Sequence, residues 1–419
     1  MAKPAGGLPG FRDFYPEEFA ARTFILQTWR DVARRFGFVE YDGPPLEPLE
    51  LYTKKSGDEI VGQLYNFKDK GDRDIALRPE MTPSFARMVG ARANALAKPI
   101  RWFSVPQLFR YERQQKGRLR EHFQLNVDIV GEVDVTADAE LVAVAIECMR
   151  AFGLGPQDVR ARVSDRRLLI AILKSLGVTD DRLPDVFAVV DKLDRQPSEA
   201  SEARLRELGV GAATEKILAL KQFDDPDSIR DAFGSDAAVT ESVSQLTRYL
   251  ACLDALGVRE FVDVDLTIVR GLAYYTGIVF ELFDAKGEFR AICGGGRYDN
   301  LLASLSDVDL PALGFGMGDV VLGELLRARG RLPDASPGLD YWVAYEDQAQ
   351  LGKAMEIATS LRRSGASAVY ALKPQSLSRQ MKAASTAGAL AVVILRAGGD
   401  VVQKDLASGA EEPFTFPNG

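Results

Sequence analysis

The segment Phe109 to Gly131, FRYERQQKGRLREHFQLNVDIVG, gathers cations, carboxylates and amides between two runs of alternating β-favouring residues. Phe109 and Tyr111, then Phe123, Leu125, Val127 and Ile129, alternate with polar neighbours. That pattern predicts two antiparallel strands joined by a turn around Gln114 to Arg118. Alternation puts Arg110 and Glu112 on one face of the first strand, and Gln124, Asn126 and Asp128 on one face of the second. The turn adds Arg113, Lys116, Gly117 and Arg118. Guanidinium forks grip phosphate oxygens, while carboxylates and amides orient an ammonium or an imidazole, so the set suits a triphosphate beside a small polar ligand. A solvated charged hairpin accounts for the same charges on composition alone. His122 is the chain's only histidine, which excludes metal sites built from several histidines. It shares a face with Gln124 and, with no placed partner, reads as structural rather than catalytic.

Several other elements must position this hairpin. Ile25, Trp29, Val32 and Phe36 recur at helical spacing from Pro16 to Phe36, and Gly37 closes that helix. Phe38 to Glu47, with Pro44 and Pro45, is extended and suits a sheet edge or an interface. In Asp74 to Met88 a short strand enters a helix, with Arg78, Glu80 and Thr82 at the junction, where an ordinary helix cap is the plain alternative. A helix over Asp138 to Phe152 and a strand over Asp158 to Val163 follow. The Leu-, Ala- and charge-rich stretch from about 166 to 258 reads as an inserted helical domain. Strand signal returns at Phe261 to Ile268 and leads into VRGLAYYTGIVFELF, where Arg270 offers a fixed charge and Tyr274 and Tyr275 face opposite ways. Of the two phenols, Tyr274 is the one expected to pack in the core. The glycines of AICGGGRYDNLL fit a tight turn as well as a ligand cradle. ALGFGMGDVVLGELL, Ala312 to Leu326, reads as a glycine-rich strand entering a helix. After a linker at Gly330 to Gly338, strands at 341–345, 368–372 and 390–395 alternate with helices at 348–363 and 377–387, and an extended tail runs to Phe416. That alternation predicts a small, mostly parallel α/β domain.

With 419 residues, more than one domain is expected. A net charge of −8 argues that any nucleic acid is held by a local basic patch rather than by the whole surface. Cys148, Cys252 and Cys293 are too far apart to form a metal knuckle or redox pair, so reduced thiols are expected. The N-terminal stretch lacks a signal peptide's apolar core, and Ala389 to Leu395 is too short to cross a bilayer. A soluble, cytoplasmic protein with no membrane segment is the expectation.

FRYER, KGRLRE and Gln124 with Asp128 resemble motif 2 of class II aminoacyl-tRNA synthetases, in the form found in histidyl-tRNA synthetases. The helix and strand ending in Pro44 resemble motif 1, the dimer interface. LRPE with Thr82 resembles the segment whose Glu and Thr contact the amino acid's ammonium, here Glu80 and Thr82. RGLAYY and GGGRYD resemble the family's two histidine signatures, implying Arg270 in adenylate formation and Tyr275 and Tyr298 in the amino-acid pocket. Ala312 to Leu326 resembles motif 3, but Val320 and Val321 stand where the family usually carries Glu-Arg, and Ala273 stands where its first signature has Asp. The implied fold class is α+β: a class II antiparallel-sheet catalytic domain over residues 1–330 with the helical insertion, and an anticodon-binding-like α/β domain over 340–419.

The implied activity joins L-histidine to tRNA(His) using ATP and Mg2+, in a homodimer. In it Arg110 and Arg270 are catalytic, Arg110, Glu112 and Arg118 hold ATP, and Glu80, Thr82, Gln124, Asp128, Tyr275 and Tyr298 read histidine. Two other readings stand beside it. One is a histidine-sensing paralogue like the regulatory subunit of ATP phosphoribosyltransferase, a family that normally lacks the C-terminal domain; the other is a catalytically silent RNA-binding paralogue.

Overall fold

Pro16 sits in the first turn of the Pro16–Arg35 helix, where its missing N–H costs nothing. One stripe of that helix buries Ile25, Leu26, Trp29, Val32 and Ala33. Gly37, at φ +75°, turns the chain out of it. The computed structural model describes residues 6–53, 62–111, 117–194, 196–269, 274–306, 308–333 and 338–416. The chain divides into two units, Met1–Pro333 and Asp334–Gly419.

The strands of the first unit are β1 (Val39–Glu40), β2 (Leu46–Pro48), β3 (Tyr65–Lys68), β4 (Asp74–Leu77), β5 (Ile100–Ser104), β6 (Gln107–Phe109), β7 (Glu121–Val130), β8 (Val159–Asp165), β9 (Val262–Val264), β10 (Ile278–Asp284), β11 (Cys293–Arg297) and β12 (Ala312–Gly318). Its large sheet runs β1-β5-β7-β12-β11-β10-β8-β9, with β6 also paired to β7. From β5 across to β8 every neighbouring pair is antiparallel. Parallel β1 and β9 form the edges. β2, β4 and β3 make a separate antiparallel sheet. The fold is therefore the α+β arrangement that the resemblance implied.

Alternation gives the large sheet two unlike faces. Leu125, Val127 and Ile129 of β7, Phe280 and Leu282 of β10, and Leu313, Phe315 and Met317 of β12 enter the main core. Trp29 and Val32 join them, with residues of the Val135–Ala151 helix and of the helices between Arg166 and Ala255. Trp29 is fully buried and its indole N–H donates to Met317 Sδ at 3.2 Å. The opposite face carries Gln124, Asn126 and Asp128, then glycines, then Val279 and Glu281.

Three local expectations change. The strand expected over Phe261 to Ile268 is only Val262–Val264, because Asp265 Oδ1 accepts from the Thr267 N–H and hydroxyl and turns the chain off the sheet edge. The triple glycine is neither turn nor loop but part of β11, in the middle of the sheet. The extended tail adds antiparallel strands instead: after β13 (Tyr341–Tyr345), β14 (Ala368–Tyr370) and β15 (Ala391–Leu395) come β16 (Val401–Asp405) and β17 (Glu411–Pro413). Gly409, at φ +75°, makes the turn between the last two. In this second unit the order is β14-β13-β15-β16-β17, with the first three parallel. Fully buried Gln380 pins the Leu377–Thr386 helix to β13, accepting from Tyr345 N at 3.2 Å and donating to Tyr345 O at 2.8 Å. Among the described residues no helix is long and apolar enough to cross a membrane.

Candidate active site

Register on the polar face sets out two ranks across four strands. Asp128, Gly314, Gly296 and Val279 stand side by side, and next to them Asn126, Gly316, Gly294 and Glu281. Glycine on both inner strands leaves a trough between polar β7 and the carboxylate of β10. A Cβ at Gly314 would overlap Asp128 Oδ1, one at Gly316 would lie 2.9 Å from Gln124 Cδ, and one at Gly296 would meet Tyr275 Cδ1 at 3.0 Å. The missing side chains let Asp128, Gln124 and Tyr275 pack closely against the backbone of the two inner strands.

Part of the trough is a cavity of about 280 Å3 lined by Arg110, Arg118, His122, Gln124, Glu281 and Gly294, among others. The hairpin reading holds for its strands, β6 and β7, although β6 ends at Phe109 and Arg110 lies just past it. Glu112, Arg113 and Lys116 lie outside the described residues. Arg110 is held by its Nε–H donating to Pro79 O at 2.9 Å, and Phe109 N donates to Arg78 O at 3.0 Å. The hairpin is thereby tied to the turn that carries Glu80. Arg78 is buried there and clamps the turn by donating to Asp42 Oδ1, Gly43 O and Gln107 O. Glu80 and Thr82 stand at the start of the Thr82–Arg92 helix, half-buried, and do not line the cavity. The N-cap position itself is Met81, which makes no side-chain cap hydrogen bond.

Beyond Gly314 lies a second group. Tyr298 donates its hydroxyl to Asp128 Oδ1, and both residues are almost fully buried. Burial pushes the Asp128 carboxyl up to about 7, against the pull of the Tyr298 hydrogen bond, and holds the Tyr298 phenol well above its ordinary value. The rings of Tyr274 and Tyr275 lie 4.8 Å apart, and those of Tyr274 and Tyr298 6.0 Å. The expected roles in packing are reversed: Tyr275 is 6% exposed and Tyr274 only half-buried. The reason is Gly296, whose missing side chain admits the Tyr275 ring. Arg270 and Ala273 lie outside the described residues.

Neighbouring charges hold the frame. Arg297, at the end of β11, is 1% exposed and binds Asp138 through both Nε and Nη2. Burial raises Asp138 to about 6 while Arg297 opposes the shift. His122 is pulled down to about 3 by burial and by the charges of Arg110 and Arg12, so it is neutral at physiological pH and a poor proton acceptor. Its structural reading fits that state. Glu281 is the cavity residue that sequence reading overlooked; alternation from Val279 would have placed it on the site face.

A family model described as histidyl-tRNA synthetase matches residues 10–318. The chain belongs to the histidyl-tRNA synthetase family. A histidine–tRNA ligase of Opitutus terrae is 44% identical over 391 residues, covering 92% of this chain and 90% of that protein. The chloroplastic/mitochondrial histidine–tRNA ligase of Arabidopsis thaliana is 38% identical over 407 residues, 96% of this chain and 83% of that one. A crystal structure of histidyl-tRNA synthetase from Nostoc sp. PCC 7120 superposes with a TM-score of 0.85 at 24% identity, covering 99% of this chain and 97% of that one, and so shares its fold. Membership in the histidyl-tRNA synthetase family accounts for the order in which the signature segments occur along the chain.

Proposed function

We propose that this chain is the ligase that joins L-histidine to tRNA(His), activating the amino acid with ATP. The observation that carries the reading is the glycine trough, with Arg110, Arg118 and Gln124 around one end and the Asp128–Tyr298 pair next to it. A carboxylate oxygen of histidine attacks the α-phosphorus of ATP, the bond to the bridging oxygen breaks, and pyrophosphate leaves with its electron pair. The terminal adenosine hydroxyl of the tRNA then attacks the acyl carbon and displaces AMP. Arg110 and Arg270 neutralise charge on the α-phosphate during attack, and Glu112 and Arg118 position ATP. Glu80 and Thr82 take the ammonium of histidine, and Gln124, Asp128, Tyr275 and Tyr298 surround its side chain.

Mg2+ is ordinarily held by one or two carboxylates plus substrate phosphates, and Glu281 is a carboxylate in the cavity wall suited to such an ion. When bound, the ion offsets phosphate charge. Homodimer formation through Phe38 to Glu47 is supported by the exposed apolar residues Val39, on the sheet-edge strand β1, and Leu46, at the start of β2. A reducing cytoplasm suits the thiols of Cys148, Cys252 and Cys293, none of which is in a disulfide.

The test is histidine-dependent exchange of pyrophosphate into ATP, with Arg110→Ala and Arg270→Ala as controls. Exchange that needs histidine and falls by roughly a hundredfold or more in each variant is the expected result. Histidine binding without exchange would reject the ligase and favour the sensing paralogue.

A further inference from the structure

Among the described residues, the cations that line the cavity come from the hairpin side. Arg110 and Arg118 line it from the hairpin, whereas the first turn of the Asp319–Ala328 helix presents Val320 and Val321. Gly117, at φ +76°, lies between them, and a Cβ there would stand 3.3 Å from Val321 Cγ2 and 3.9 Å from Arg290 Cδ. The exposed Arg290 side chain thus reaches the turn that the valine touches. Its backbone runs straight into Ala291, Ile292, Cys293 and Gly294, all of them cavity wall.

We propose that Arg290 binds the β- and γ-phosphate end of the nucleoside triphosphate, supplying from the β10–β11 connection the positive charge that the Val320–Val321 wall lacks. A polyphosphate tail is the most charged and most solvent-accessible part of such a ligand. A long guanidinium side chain at the rim can grip it in forked fashion without the cost of burying a charge. Gly117 leaves the passage open, because any side chain there would stand against both Val321 and the Arg290 stem. The adenosine and α-phosphate lie beyond the reach assigned to Arg290, so its effect should depend on the outer phosphates.

This inference takes the identity of the nucleotide from the ligase reading, and the test separates the two. Calorimetry would measure binding of Mg-ATP and of AMP to the full chain as wild type, Arg290→Ala and Arg290→Lys. Arg290→Ala is expected to weaken ATP roughly tenfold or more and leave AMP within about twofold, with Arg290→Lys in between. Equal ATP affinity in wild type and Arg290→Ala, or equal losses for ATP and AMP, overturns the proposal. Pyrophosphate exchange by the wild type is read separately. No exchange, with ATP binding still dependent on Arg290, rejects the ligase and keeps the phosphate contact. Exchange with unchanged ATP affinity in Arg290→Ala rejects Arg290 alone, and a wild type that binds no ATP rejects both.

Discussion

Asp128 has a pKa near 7 in the folded chain because it is buried, whereas in the unfolded chain it titrates near 3.8. Between about pH 4 and 7 the folded state therefore keeps a proton that the unfolded state has lost. Stability must fall as pH rises through that window, by up to about 1.4 kcal/mol per pH unit from this group. Asp138, raised to about 6 by burial, acts in the same direction over a narrower range. Asp128→Asn keeps an acceptor for the Tyr298 hydroxyl and removes the titration. Its unfolding midpoint should change less between pH 5 and pH 8 than that of the wild type, by several degrees. Identical pH profiles would mean that Asp128 is already ionised in the fold. Tyr298→Phe removes a hydrogen bond that favours the carboxylate, so the Asp128 pKa should rise further, and carbon-13 NMR of the Asp128 carboxyl would show it.

At the scale of elements, the glycines of β11 and β12 do two separable jobs. A Cβ at Gly295 would overlap the Gly314 carbonyl oxygen and stand 2.5 Å from Phe315 Cβ, on the core face, where backbone cannot yield. Gly295→Ala should cost about 1–3 kcal/mol in urea unfolding. The nearest atoms to a Cβ at Gly316 are those at the end of Gln124, with Cδ 2.9 Å away, and that side chain can swing. Gly316→Ala should unfold near the wild-type midpoint yet raise KM in the exchange reaction by roughly tenfold, since it fills the trough. If both variants lost stability equally, the trough would be a packing device and not a site. The glycine run was legible as a feature of the sequence, but whether it made a turn, a cradle or a strand was not. Three glycines permit all three, and only pairing with β10 and β12 selects the strand.

For the whole molecule, the boundary at Pro333 leaves each unit with its own buried clusters. Activation is expected to belong to the first unit, and tRNA selection to draw on the second. A chain ending at Pro333 should keep histidine-dependent pyrophosphate exchange and lose most charging of tRNA(His). Loss of both activities in a folded truncated chain would show that activation needs the second unit.

By itself the sequence determined what depends on near neighbours along the chain. Alternation placed Gln124, Asn126 and Asp128 on one face of β7, helical spacing marked the buried stripe of the Pro16–Arg35 helix, and glycine followed by an apolar run marked the passage from β12 into its helix. Side-chain direction is a local consequence of backbone geometry, so these survive without knowledge of the fold. Only the tertiary structure decided the rest. Tyr298 meets Asp128 across 170 residues of chain, Tyr275 is buried in place of Tyr274 because Gly296 clears its path, and Arg290 comes beside Val321 through Gly117. Each of these is set by which strands become neighbours and in what register, and the burial that moves the Asp128 pKa exists only once they have closed over it.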